Sequence, residues 1–207
     1  MKIAAVIPAF NEAAHIGRVL SRVVRTVHVD EVIVVCDGCR DDTAAVARRY
    51  GVNVVELPEN VGKGGAMMAG VQHTDADVIL FLDADLIGLR AGHIYSLVEP
   101  VAAGRADMTI GVFADGRPLT DIAQKLAPFL TGQRAVRRDV LEQVPDLEQA
   151  GFGVEAALSR YADKQGLKVA RVSLPGLAHV MKEEKAGLWK GFRARVQMYW
   201  EILRSYR

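Results

Sequence analysis

Two aspartates one residue apart, Asp83 and Asp85, follow the apolar run Val78-Ile79-Leu80-Phe81-Leu82. In an extended chain, residues i and i+2 point to the same side. The two carboxylates then stand side by side and repel unless a cation or hydrogen-bond donors meet them. Such oxygen ligands suit a hard divalent cation, Mg²⁺ or Mn²⁺, which also bridges phosphates and can neutralise a departing diphosphate. Capping of a following helix or loop explains the pair equally well. His179, in Ala178-His179-Val180, offers an imidazole that borderline metals accept beside carboxylate; a structural histidine is the alternative. Glu155, in Gly151-Phe152-Gly153-Val154-Glu155, stands where a helix should begin. Its carboxylate either complements the helix dipole or is aimed into a cleft by the irregular glycine entry.

Gly62-Lys63-Gly64-Gly65 also opens an expected helix, where glycines allow close backbone approach and the helix N-terminus favours anions. It matches neither the Walker A loop nor the dinucleotide fingerprint. A turn with a helix cap is the other explanation. Cys36 and Cys39 form a C-x-x-C pair, but Asp37 between them disfavours a thiolate, and one such pair is half a zinc site. Two free thiols in a turn are expected.

These residues need a scaffold, and the chain supplies an alternating one. Residues 2–7, 31–35, 52–57 and 78–82 read as strands, and residues 12–27, 41–50 and 62–73 as helices, with Asp41 and Asp42 as N-caps. This order predicts an α/β fold with a parallel sheet and right-handed crossovers. Ligands of such sheets bind beyond the carboxyl ends of the strands, which is where Pro8 to Glu12, Asp37, Gly62-Lys63 and Asp83 to Asp85 gather. Further on, residues 92–103, 119–130, 138–144 and 154–165 are expected to be helical, and residues 107–113 and 168–173 to be strands.

The 207 residues fit one domain, and a net charge of +1 gives no global field toward nucleic acid. The first apolar run is too short for a secretory leader, and no run reaches the ~18 residues of a membrane span. A cytoplasmic chain is therefore expected.

The ordered segments Ile7-Pro8-Ala9-Phe10-Asn11-Glu12, Cys36-Asp37-Gly38-Cys39-Arg40-Asp41-Asp42-Thr43, Asn60-Val61-Gly62-Lys63-Gly64-Gly65-Ala66 and Phe81-Leu82-Asp83-Ala84-Asp85 resemble the glycosyltransferase family 2 pattern and its GT-A fold. The second half, through Leu130-Thr131-Gly132-Gln133-Arg134-Ala135, Gly151 to Glu155 and Ala178-His179, also resembles the glucosyl-3-phosphoglycerate synthases, which transfer glucose with retention of configuration. Thr131 to Ala135 is similar as well to a segment of the polyprenyl-phosphate sugar synthases. The resemblance implies a metal-dependent transferase moving a hexose from a UDP-sugar to a small soluble acceptor. Residues 1–113 would bind the donor and residues 114–180 the acceptor.

The resemblance further implies that Pro8, Ala9, Phe10, Glu12 and Asp37 cradle the base, with Asp37 accepting from a uracil N–H. Gly62 and Lys63 would hold the base and ribose side. Asp83, with Ala84 beside it, would contact ribose or metal. Asp85 and His179 would hold Mg²⁺ or Mn²⁺. Glu155 would face the reacting sugar or acceptor, with Gly132 and Arg134 lining the acceptor side. Asp85, Glu155 and Arg134 are thus the candidate catalytic residues. Cys36 and Cys39 replace the polar residues usual around Asp37. A lipid-linked sugar synthase and a non-catalytic nucleotide-sugar binder are the competing readings. A nucleotidyltransferase is disfavoured because Ala9-Phe10-Asn11-Glu12 stands where a glycine- and arginine-rich signature would be.

Residues 182–207 carry seven Lys or Arg against three Glu, with Leu188, Phe192, Val196, Tyr199 and Leu203 at helical spacing. Such an amphipathic helix can pack on the domain, form a homodimer seam or lie on an anionic membrane. Packing on the domain is expected, with dimerisation next.

Overall fold

A computed structural model of the chain describes residues 1–114 and 131–180. The first part alternates as its apolar runs require. Strands β1 (Ile3–Ala9), β2 (Glu31–Asp37), β3 (Asn53–Leu57) and β4 (Val78–Phe81) are separated by helices α1 (Ile16–Val23), α2 (Thr43–Arg48) and α3 (Gly62–Gln72). Then follow β5 (Leu86–Ile87), α4 (Ala91–Ala102) and β6 (Met108–Ala114). After residue 130 come β7 (Arg134–Arg137), α5 (Arg138–Leu141), a 3-10 segment (Leu147–Gly153), α6 (Val154–Gln165), β8 (Val169–Pro175) and β9 (Ala178–His179).

Seven strands form one sheet in the order β3-β2-β1-β4-β7-β6-β8. Strand β1 pairs in parallel with β2 and β4, and β2 with β3, as the alternating order requires. Strand β7 runs antiparallel between β4 and β6, and β8 lies parallel to β6. A separate antiparallel pair joins β5 to β9. The sheet is therefore mainly parallel, as expected, with one reversed strand that hydrophobic periodicity did not reveal. Strand β7 is only Arg-Ala-Val-Arg, too short and too charged to read as a strand.

Strand β1 shows how the sheet feeds two cores. Ala5, Ile7 and Ala9 join Ile16, Val19 and Leu20 of α1 on one face. Ala4 and Val6 join Met67 and Val71 of α3 on the other. Such two-sided burial is typical of strands in parallel sheets.

Helix α1 is shorter than its apolar spacing suggests. The amide of Thr26 donates to the Val23 carbonyl at 3.0 Å, and its hydroxyl donates to the Arg22 carbonyl at 2.9 Å. The helix stops there and Val27 is left 89% exposed. Of the two caps expected for α2, one acts. Asp42 makes no side-chain cap, and Asp41 accepts the Thr43 N–H at 3.0 Å instead. The expected helix over residues 119–130 and the amphipathic tail lie outside the described residues.

Arg138, at the start of α5, fastens the end of α3 to the entry of β4. Its guanidinium donates to the carbonyls of Ala76 at 2.8 Å, Val71 at 3.2 Å and Thr74 at 2.6 Å. Carbonyls at a helix C-terminus lack intrahelical donors and sit at the negative end of the dipole, so a planar cation fits them. Arg138→Met should lower the unfolding free energy by about 2 kcal/mol, because charge-assisted hydrogen bonds contribute ~1.5–3 kcal/mol each and water compensates part of the loss. Arg138→Lys should recover only part of it. Urea unfolding checks this, and an unchanged midpoint for Arg138→Met would show that the clasp is idle.

Candidate active site

Asp83, Ala84 and Asp85 continue beyond the carboxyl end of β4. Ala84 is buried in the apolar core, so alternation carries both carboxylates the other way. Asp83 Oδ2 accepts a hydrogen bond from Gln133 Nε2 at 2.8 Å. Asp85 Oδ1 lies 3.1 Å from His179 Nδ1, and Asp83 Oδ2 lies 3.7 Å from His179 Nε2. The imidazole thus presents one nitrogen to each carboxylate.

His179 arrives there through the β5–β9 pair, which sets Leu86 opposite His179. The Val180 amide donates to the Asp85 carbonyl at 3.3 Å, and the Phe113 ring packs 5.0 Å from the imidazole. Burial disfavours charge on His179, but the hydrogen bond to Asp85 and the fields of both carboxylates outweigh it and raise its pKa.

Lys63, in the first turn of α3, reaches the same cluster. Its Nζ lies 2.7 Å from Asp83 Oδ1 and 2.5 Å from Glu155 Oε1. Burial alone would lower the ammonium pKa; Asp83 and then Glu155 hold it above its usual value. Burial likewise opposes ionisation of Asp83, but Lys63 and His179 leave its pKa below normal. The expected place for Lys63 was the base and ribose side, whereas the structure puts its charge between two acids. Lysine reaches this point because Gly132 has no side chain. A Cβ there would stand 2.5 Å from Lys63 Nζ and 2.6 Å from Asp83 Oδ1.

Arg134 does not line an open acceptor face. It is fully buried. Its Nε and Nη2 donate to the Thr131 carbonyl at 3.3 and 3.0 Å, and Nη1 donates to the Glu155 carbonyl at 3.2 Å. Nη1 also lies 3.4 Å from Ser159 Oγ. Burial lowers its pKa to about 10, leaving it charged at neutral pH. This burial differs from the acceptor-side lining that the resemblance implies for Arg134. A strand start filled by Gln133-Arg134 puts both long polar side chains inside, where they hold Asp83 and the first turn of α6. The motifs assign Gln133 no role; its one signal is a long polar side chain directly before Arg134 at the head of the apolar Ala135-Val136 pair.

The donor set of Asp83, Asp85 and His179 is chemically suited to a divalent cation such as Mn²⁺. Two carboxylates flanking one imidazole also need positive charge between them. The imidazole nitrogens hydrogen-bond the acids in this arrangement, and among the described residues no three such groups converge on one point.

The other expected ligands lie along the same sheet edge. Phe10 is 49% exposed at the end of β1, next to the part-buried Pro8 and the buried Ala9. The Glu12 amide donates to Thr43 Oγ1 at 2.8 Å. Asp37 is buried and accepts the amides of Val61 at 2.7 Å and Gly62 at 3.1 Å. Burial raises its pKa while these two bonds act against the rise. Its carboxylate thus ties the loop that opens α3, an arrangement that the uracil assignment did not anticipate. The glycines of Gly62 to Gly65 serve packing: a Cβ at Gly64 would stand 2.5 Å from the Leu147 carbonyl.

The two thiols remain free. Cys36 is buried, and burial followed by the field of Cys39 pushes its pKa up to about 12. Cys39 Sγ donates to the Ala9 carbonyl at 3.3 Å and so keeps a hydrogen bond at this turn.

Comparison with known proteins places this geometry in a family. The model of Glycosyl transferase family 2 matches residues 4–161. Glucosyl-3-phosphoglycerate synthase of Mycobacterium tuberculosis is 32% identical over 86% of this chain, which spans 66% of that relative's length. Its crystal structure with phosphoglyceric acid superposes with a TM-score of 0.74 at 31% identity, covering 86% of this chain and 72% of that one. A crystal structure of the same enzyme with Mn²⁺, UDP-glucose and phosphoglyceric acid gives a TM-score of 0.76 at 29% identity, covering 98% and 79%. The 4,4'-diaponeurosporenoate glycosyltransferase of Staphylococcus aureus is 37% identical over 45% of this chain and 26% of its own length. The match of the family model over residues 4–161, together with this identity and superposition, makes this chain a member of glycosyl transferase family 2.

Proposed function

We propose that this chain transfers glucose from UDP-glucose to a small phosphorylated acceptor of the phosphoglycerate kind, using a divalent cation. The observation that carries this reading is that His179 approaches both Asp83 and Asp85 at the carboxyl end of β4, in a chain similar to an enzyme crystallised with Mn²⁺, UDP-glucose and phosphoglyceric acid. Residues 1–113 serve the donor and residues 131–180 bring Glu155, His179 and the acceptor side.

Asp85 and His179 hold the cation, with Asp83 completing the set or meeting the ribose. A bound Mn²⁺ or Mg²⁺ supplies the charge that stabilises the leaving diphosphate. Phe10, Pro8 and Ala9 flank the base, and Asp37 fixes the loop beside it through the amides of Val61 and Gly62. Glu155 faces the reacting sugar or the acceptor. Its partnership with Lys63 keeps the carboxylate in place. Arg134 acts as a positioning residue by holding the Glu155 backbone.

Asp85→Asn should keep the fold yet reduce turnover more than about 100-fold, since even indirect partners of metal sites are worth 10–100-fold. Enzyme stripped with EDTA should be equally inactive and recover with Mn²⁺. Full-rate turnover by the stripped enzyme would sink the metal assignment.

UDP-glucose should bind more tightly than GDP-mannose in calorimetry with Mn²⁺ present. The reverse order would reject the uridine assignment.

Lys63→Met should cost about 3 kcal/mol of stability, because removing one member of a buried ion network leaves the others uncompensated. Adding Glu155→Gln to that variant should return part of the loss. Melting curves in which Lys63→Met matches the parent would show that the ammonium does not hold the two acids together.

A further inference from the structure

A second charged site lies apart from the acidic cluster and shares no lining residue with it. A cleft of about 360 Å³ opens between the C-terminal half of α1 and the segment from Gly88 to the start of α4. Arg22, Arg25 and Arg90 line it, with Ser21 and the backbone of residues 88–91. The two segments that line it carry no acid of their own. Residues 13–29 and 86–98 contain four arginines and no Asp or Glu, although the whole chain holds 25 acids. Arg48, Arg105, Arg137 and Arg138 form ion pairs with acids, and none of them lines this cleft.

Two further observations give the cleft a built floor. Leu89 is anchored in the core, and Gly88 adopts φ +80 with its Cα against the Gly176 carbonyl, which a Cβ would approach to 2.2 Å. Helix α4 then starts without an acidic residue in its first turn and without a side-chain cap. Its first amides, Ala91 and Gly92, have no intrahelical acceptor. A Cβ added at Gly92 would meet open space.

Three arginines lining one cleft, beside amides without intrahelical acceptors, supply the donor chemistry that suits phosphate oxygens. We propose that this cleft binds a phosphate group carried by a ligand other than the sugar donor, either a soluble phosphate compound or a phospholipid headgroup. Val24 and Ile87, both exposed, and Tyr95, whose ring packs tilted against His28 at 4.7 Å, stand around the same region and can meet the non-phosphate part. The site is independent of the transferase reading, so the two can fail separately.

The test uses the full chain in EDTA, so that no divalent ion draws phosphate to Asp83 and Asp85. Inorganic pyrophosphate is titrated while the amide resonances of Gly88, Ala91 and Gly92 are followed. Binding to phosphatidylglycerol vesicles is measured in parallel by sedimentation against phosphatidylcholine. The parent should bind at least one of the two probes saturably. A variant with Arg22→Gln, Arg25→Gln and Arg90→Gln should bind it at least tenfold more weakly. A control with Arg49→Gln, Lys164→Gln and Arg171→Gln should bind as the parent does. The triple cleft variant should keep the parent's Mn²⁺-dependent turnover when no phosphate compound is added. Response to pyrophosphate alone identifies a soluble ligand, and response to anionic vesicles identifies a headgroup. Equal shifts with chloride at matched ionic strength mean an adventitious ion only and overturn the site. So do binding that survives in the cleft variant and failure of both probes.

Discussion

Three carboxylates crowd the end of β4 and the start of α6, and the rest of the site is arranged around neutralising them. Two unit charges about 4 Å apart repel by roughly 4 kcal/mol at an effective dielectric of 20. Lys63 answers this for Asp83 and Glu155, and His179 stands between Asp83 and Asp85. Gly132 is glycine because the Lys63–Asp83 pair occupies the volume where a side chain would be. Arg134 is buried next to this network because its positive field favours the same acids, and because three backbone and hydroxyl acceptors satisfy its donors. Positive charge outside the acids is thus as much a part of the site as the acids themselves.

The fold delivers those charges from distant parts of the chain. The parallel half contributes Asp83 and Asp85 as a strand end and Lys63 as a helix start. The reversed strand β7 inserts Gln133 and Arg134 beside β4. The small β5–β9 pair then returns His179 to Asp85 across 94 residues of sequence. A strand pair of two residues has little stability of its own. It stands because Leu86 and Leu177 are core residues and Phe113 backs the imidazole.

The parallel half was legible because its strands are apolar runs of four or more residues separated by helical spacing. Asp83 and Asp85 were legible for the same reason: their strand ends abruptly in charge. Helix α6 was readable from end to end, closing at Gly166 in a left-handed conformation as its sequence suggested. What escaped reading depended on tertiary pairing. Strand β7 has two arginines in four residues, and nothing local says that one of them turns inward. Strands β5 and β9 have two residues each, below any periodic signal. Asp37 was expected to face a base, but its partners are amides 24 and 25 residues away, which no local pattern encodes. Which of Asp41 and Asp42 caps α2 was not legible, because Asp41 also accepts the Ala13 amide at 3.1 Å, a contact between segments distant in sequence.

The packing of α3 constrains how a diphosphate can be bound. A glycine-rich loop at a helix start usually invites phosphate to the free amides. Here several of those features are already committed to the protein. The amides of Val61 and Gly62 donate to Asp37, Gly64 makes room for the Leu147 carbonyl, and Lys63 is held by two acids. The start of α3 therefore offers a diphosphate little uncommitted positive charge. Neutralisation of a diphosphate at this edge is then left to a cation, which is the physical reason a transferase built this way would depend on a divalent ion rather than on its glycine loop.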